Sequence, residues 1–262
     1  GILDDLRQAG HSDYLVLIER LSGERSIGDI DSLYSRWSTN RPGGFTDNDL
    51  DALRSLVPAL ALSIKAATFR RVAQSLAEVY LGRDPGRRVL EGRIVRGKVD
   101  SIRTVLWYSD MENYTSLSET IESGELIAFL NDYSDAVISS IYEAGGDVLK
   151  LIGDGVLAIF NHTDLSEAAH AALDARDRLR HKISALNSHR AGQGNETTEV
   201  YLGLHVGEVF YGNIGSDERL DFTVIGRAVN EVCRVAGVCR TTNRSLLVSD
   251  AFLDLLPKET GA

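Results

Sequence analysis

The stretch Asp147-Val-Leu-Lys-Leu-Ile-Gly-Asp-Gly-Val-Leu-Ala-Ile-Phe160 constrains the fold more than any other. Two apolar runs flank Gly153-Asp154-Gly155, and an Asp-Gly pair between such runs predicts a β-hairpin. Two residues exceed what a structural hairpin needs. Lys150 interrupts an otherwise apolar strand, and Asp154 stands at the tip between two glycines. A turn carboxylate is ordinary surface chemistry, but one freed by glycines can also approach a cation closely. The rest of the chain decides between these readings.

The chain of 262 residues suits one large domain or two smaller ones, and 43% hydrophobic with 25% charged residues describes a globular protein. A net charge of −10 argues against a nucleic-acid or anionic-membrane binder, which would carry a basic footprint. The longest apolar run, residues 57–64, contains Pro58 and is too short to span a bilayer, so no membrane insertion is expected. Cys233 and Cys239 read as small core residues in a reduced compartment, which together predict a cytoplasmic location.

Residues 1–46 read as a small α/β region, with strands predicted at Asp13–Arg20 and Ser32–Thr39 and a loop at Asn40-Arg-Pro-Gly-Gly-Phe45. A helix opens at Thr46 and runs to about Leu81, with a kink or break expected near Val57 because Pro58 follows. Its apolar residues Leu53, Val57, Leu60 and Ile64, then Phe69, Val72, Leu76 and Val79, have coiled-coil spacing with one phase slip. The same stripe suits packing within its own domain or a parallel dimer helix of residues 47–82. Residues 83–100 form a basic connector.

Arg103–Asp110 reads as a buried strand ending in an acid, and residues 116–144 as one long amphipathic helix. After the hairpin come a second helix at 164–186, a loop at 188–198 and a strand at 199–207. Then follow a strand, an exposed turn at Gly212-Asn-Ile-Gly-Ser216, a returning strand, a helix at 228–235 and a last strand at 245–249. The order defines an α+β, ferredoxin-like βαββαβ domain over 101–262 with an added β-hairpin and helices on one face of an antiparallel sheet.

In that topology the end of the first strand lies beside the tip of the hairpin, so Asp110 and Asp154 converge. Two carboxylates at one spot repel unless a cation neutralises them. Hard oxygen ligands with open positions suit magnesium and phosphate oxygens. Residues 111–115 precede a helix whose first N–H groups can cradle a phosphate. Asn230 and Arg234 are four apart and share a helix face, where they can orient a ribose and stabilise charge on a transferring phosphate. Alone, such a pair is ordinary solvated surface.

Ser109-Asp110 to Thr115, Lys150-Leu-Ile-Gly-Asp-Gly155, Gly212-Asn-Ile-Gly-Ser216 and Thr223-Val-Ile-Gly-Arg-Ala-Val-Asn230 through Arg234 resemble the class III nucleotidyl cyclase catalytic domain, in order and spacing, over about residues 100–255. The resemblance implies a head-to-tail homodimer with shared sites. It implies two Mg2+ or Mn2+ ions held by Asp110 and Asp154 with the Met111 carbonyl, and triphosphate contacts from Asn113, Tyr114 and Thr115. It implies purine reading by Lys150 and Thr223 and transition-state roles for Asn230 and Arg234, all four lent by the partner of the protomer that holds the metal pair. Residues 1–46 weakly resemble the end of a GAF-type sensor.

The base follows from hydrogen-bond chemistry. Lys150 can only donate, which suits adenine N1, and Thr223 can accept from the N6 amine. Guanine N1–H facing Lys150 would oppose two donors at a cost of about 1–3 kcal/mol. The expectation is an adenylate cyclase converting ATP to 3′,5′-cyclic AMP and pyrophosphate. The alternatives are a non-catalytic pseudo-cyclase that dimerises through the long helix and a guanylate cyclase. This sequence departs from the family pattern in carrying Trp107-Tyr108-Ser109 where Phe usually precedes the first Asp, and Asn113-Tyr114-Thr115 where Gly-Phe-Thr usually follows. Asn tolerates the positive φ of that turn. Thr223, where many members carry Asp, resembles a bicarbonate-stimulated subgroup. His205 reads as a packed strand histidine.

Overall fold

A computed structural model describes residues 1–21, 32–93, 97, 99–216 and 218–257. The chain divides into two compact units, Gly1–Leu76 and Ala77–Ala262.

The first unit holds α1 (Ile2–Gln8), β1 (Asp13–Arg20), β2 (Ser32–Thr39) and most of α2 (Asp47–Leu81). β1 and β2 occupy the predicted strands and pair antiparallel, Asp13 opposite Thr39 and Arg20 opposite Ser32. Helix α1 was not expected, because seven residues are too few for a periodic pattern to register. Thr46 and Asp49 form a reciprocal cap on α2. The Thr46 N–H donates to Asp49 at 2.9 Å, and the Asp49 N–H donates to the Thr46 hydroxyl at 3.3 Å.

Helix α2 continues through Pro58, contrary to the break expected near Val57. Arg54, whose carbonyl loses its helical donor to the proline ring, lies on the exposed side, where water can satisfy it. Val57 and Ala61 are its buried residues, while Leu60, Leu62, Ile64, Phe69, Leu76 and Val79 are exposed. By length and composition α2 is also apolar enough to cross a membrane, a property that counting the run 57–64 alone does not register.

The second unit contains α3 (Arg83–Leu90), β3 (Val99–Met111), α4 (Tyr114–Thr120), α5 (Ser123–Glu143), β4 (Asp147–Ile152) and β5 (Gly155–Phe160). These are followed by α6 (Leu165–Gly192), β6 (Val200–Gly215), β7 (Leu220–Ile225), α7 (Arg227–Thr242), β8 (Leu246–Val248) and α8 (Asp250–Leu253). The strands run β4-β5-β3-β6-β7, antiparallel throughout, with β8 joined parallel to β6. β3 to β6 make the expected ferredoxin-like unit, and β6–β7 is the added hairpin.

The helices lie on both faces of the sheet, not one. Val105, Trp107 and Met111 of β3 pack into the core built with α5 and α6. Leu106 joins Val209, Tyr211, Val224, Ala228 and Val232 on the opposite face, under α7. A central strand buried on both sides reads as a continuous apolar run, so its sequence does not say how many faces are covered.

Three further boundaries differ from expectation. The predicted helix 116–144 is two helices, because Glu122 takes an extended conformation and its carboxylate caps α5 by accepting from the Gly124 N–H at 3.0 Å. Helix α6 extends to Gly192, so the loop begins at Gln193. The segment Gly212–Gly215 lies within β6, and β7 begins at Leu220. Asn213 is buried there, its amide donating to the Arg93 carbonyl at 2.6 Å.

The residues predicted as a basic connector are helical over Arg83–Leu90. Asp84 accepts from the Tyr211 hydroxyl at 2.8 Å and from Arg88 Nε at 2.7 Å, and also pairs with Arg87. Arg88 reaches on to Asp100 at 3.0 Å. Gly86 packs against the backbone of Ala77 and Glu78 so closely that a Cβ there would sit 2.7 Å from Ala77.

Candidate active site

Strand β3 carries Asp110 on the α7 face, and the β4–β5 turn carries Asp154. The Met111 N–H donates to Asp154 Oδ2 at 3.0 Å, which brings the Asp154 carboxyl to the end of β3 beside Asp110. The convergence expected from the topology is therefore present. Burial, then the hydrogen bond and charge of Asp154, push the Asp110 carboxyl up to about 6. Two partly buried acids at one spot call for a cation between them.

The surroundings reinforce that need. Tyr108, also on the α7 face, lies on Gly155, where a Cβ would meet its hydroxyl at 2.5 Å. Burial first, then Asp110, raise its phenol to about 12. The buried Tyr133 hydroxyl of α5 has no hydrogen-bond partner among the described residues, and burial followed by the charges of Asp110 and Asp154 raises its pKa.

The acid pair fits divalent ions. Among the described residues no group of three or more His, Cys, Asp or Glu side chains gathers. Two carboxylates are a usual protein share of a magnesium site, with phosphate oxygens and waters supplying the rest. Met111 itself is buried in the core; the contact it makes here is the N–H to Asp154.

Lys150 lies elsewhere. β4 has a bulge at Leu149, since Val148 pairs with Ala158 and Lys150 with the next residue, Leu157. Val148 and Leu149 are buried on opposite faces, as strand alternation dictates, and the extra residue shifts Lys150 into register with Leu157, where it is exposed. The sheet curls so that its end strands β4 and β7 approach, and Lys150 pairs with Asp221 of β7. Thr223, two residues on in the same strand, is buried opposite Gly212.

Asn230 and Arg234 share a face of α7, as spacing predicts, and both are exposed. Neither makes a hydrogen bond or ion pair with Asp110 or Asp154 among the described residues. Asn113 has φ 58°, the left-handed conformation expected of it, and starts α4. Thr115 is exposed and Tyr114 packs partly into the core. His205 is packed between Ser249, at 2.8 Å, and Glu231, at 3.0 Å, and burial lowers its pKa.

Two charged partners escaped the sequence reading. Asp221 had a signal, because it precedes Thr223 by two and shares its strand face. Arg240, whose Nη2 lies 3.1 Å from Asp110 Oδ2, had none, since α7 was predicted to end at 235.

A curled antiparallel sheet with an acid pair at the β3 and β4–β5 ends defines a nucleotide-cyclase type of domain. Residues 98–260 match the model of the adenylate and guanylate cyclase catalytic domain, and the chain belongs to that family. It is 33% identical over 161 residues to an adenylate cyclase of Anabaena cylindrica, covering 60% of this chain and 31% of that protein. It is 30% identical over 209 residues to adenylate cyclase 2 of Rhizobium meliloti (strain 1021), covering 79% of this chain and 55% of that protein. The crystal structure of an adenylyl cyclase from P. aeruginosa superposes with a TM-score of 0.57 at 27% identity, over 60% of this chain and 82% of that one. The chain thus spans less than two thirds of the length of both curated relatives.

Proposed function

We propose that this chain is an adenylate cyclase that converts ATP to 3′,5′-cyclic AMP and pyrophosphate at sites shared by two copies. The observation that carries the reading is the Met111 N–H bond to Asp154, which sets a second carboxyl beside Asp110, a pair suited to divalent ions that bind phosphate oxygens. In this reading Asp110 and Asp154, with the Met111 carbonyl, would hold two Mg2+ or Mn2+ ions. Such ions, when bound, favour loss of the ribose 3′-hydroxyl proton and offset charge on the phosphates.

The chain's own groups do the rest. Asn113, Tyr114 and Thr115 bring backbone N–H groups to the triphosphate. Lys150 of one copy, steadied by Asp221, donates to adenine N1 in its partner's site, where Thr223 of the same copy accepts from the N6 amine. Asn230 of one copy orients the ribose in its partner's site, and Arg234 stabilises charge as the 3′-oxygen bonds to the α-phosphorus and pyrophosphate departs. The exposure of both side chains suits a role outside their own protomer. Helix α2 joins two copies along its exposed stripe, residues 1–46 are the close of a sensor region, and the domain works in the cytoplasm. Thr223 makes bicarbonate a stimulant to test.

Purified protein with ATP and either metal is expected to release cyclic AMP and pyrophosphate. Lys150→Glu combined with Thr223→Cys should raise the GTP-to-ATP ratio of kcat/KM about tenfold or more, the scale of one reversed donor–acceptor pair. ATP binding without product would turn the reading towards a non-catalytic module, and an unchanged ratio would remove the base assignment.

A further inference from the structure

Two of the three arginines of helix α7 have different orientations. Arg234 faces outward with Asn230, whereas Arg240 turns back onto its own chain. Six residues separate them, about 240° of helix rotation, so they cannot share a face. The buried Cys239 anchors this turn, its thiol donating to the Leu202 carbonyl at 3.4 Å. The β3–β6 register sets Asp110 opposite Tyr201, and Arg240 lies over both, with its guanidinium carbon 5.8 Å from the Tyr201 ring centroid and Nη2 3.1 Å from Asp110 Oδ2. Tyr201 is fixed in turn by donating to Glu112 at 2.5 Å.

We propose that Arg240 is the resident counter-cation of the acid pair, which competes with divalent metal for Asp110 and so sets the metal affinity of the site. The inference rests on the reading of Asp110 and Asp154 as metal ligands. Its chemistry is a charge exchange with no covalent step. A guanidinium offsets one of two adjacent carboxylates, and an arriving divalent ion meets both an occupied oxygen and a nearby like charge. The arm is 59% exposed, so it can leave Asp110 without disturbing the core. A divalent ion and a guanidinium a few ångströms apart at a partly exposed site repel by enough to shift binding about tenfold.

Mn2+ binding to the nucleotide-free chain, read by electron paramagnetic resonance, tests this without reference to turnover. Arg240→Gln and Arg240→Ala should each bind Mn2+ about tenfold more tightly than the parent, while Arg240→Lys should stay near it. In EDTA at pH 8 the Gln variant should melt below the parent, and its Mn2+-induced rise in Tm should be larger. Unchanged or weaker Mn2+ affinity in both neutral variants overturns the counter-ion role, provided that Asp154→Asn abolishes binding. If neither the parent nor any variant binds Mn2+, the metal reading and this inference fall together. If Asp154→Asn binds like the parent, the ligand assignment fails by itself.

Discussion

Two charged constellations of the cyclase domain are built on opposite rules. Asp84 finds several complements: Tyr211, Arg87 and Arg88 face its carboxylate, and Arg88 reaches a second at Asp100. Around Asp110 a second carboxylate, Asp154, is held by the Met111 N–H, with the solvent-exposed Arg240 as relief. The two acids titrate in opposite directions. Burial pushes Asp84 up, but the Tyr211 hydroxyl, Arg87 and Arg88 outweigh it and hold it below the usual range. Burial and Asp154 together lift Asp110 to about 6. The satisfied network docks α3 onto β6. The frustrated pair holds unspent charge for a ligand, which is how functional carboxylates are commonly recognised.

Substitutions should separate these roles. Asp110→Asn is expected to lower cyclic AMP formation by about 10³-fold or more, the scale of losing a charge-stabilising group. In EDTA at pH 8 the same variant should melt a few degrees higher than the parent, because a neutral amide removes the repulsion. A fall in metal-free Tm would mean that the acid pair is structural. Asp84→Asn should do the reverse, costing about 1–3 kcal/mol at pH 7 by denaturant titration, while the folded fraction keeps its Mn2+ affinity.

The pH dependence of stability sharpens the contrast. Asp110 has a folded pKa above its unfolded value near 4, so the folded chain binds the extra proton between about pH 4 and 6. Its contribution is present at low pH and lost as pH rises through about 6. Asp84 has a folded pKa below its unfolded value, so its contribution is present above about pH 4 and lost as pH falls through the folded value. Metal-free melting curves of the two Asn variants, each subtracted from the parent across pH 3 to 8, should therefore slope in opposite senses.

The parts that were legible in the sequence are those with a local physical cause. The hairpin announced itself through Gly153-Asp154-Gly155, β1 through alternation, the α2 cap through Thr46, and the meeting of Asp110 with Asp154 through strand order. What was not legible depended on long-range packing. The second helical layer was hidden because β3 is apolar on both faces. Asn213 read as a turn residue because its buried partner, the Arg93 carbonyl, lies 120 residues away. Lys150 read as an anomaly until the bulge at Leu149 explained its outward turn. Arg240 depends on where α7 ends and how it lies on β6, neither of which spacing reveals.

The central claim is that the acid pair of one copy works with the α7 face of another. Mixing Asp154→Asn chains with Arg234→Ala chains tests it directly, each variant alone being inactive. Random pairing makes half of all dimers mixed, each with one site free of both substitutions, so the mixture should recover about a quarter of parental cyclic AMP production. Recovery that stays at the level of the separate variants, with mixed dimers demonstrated, would contradict the shared site.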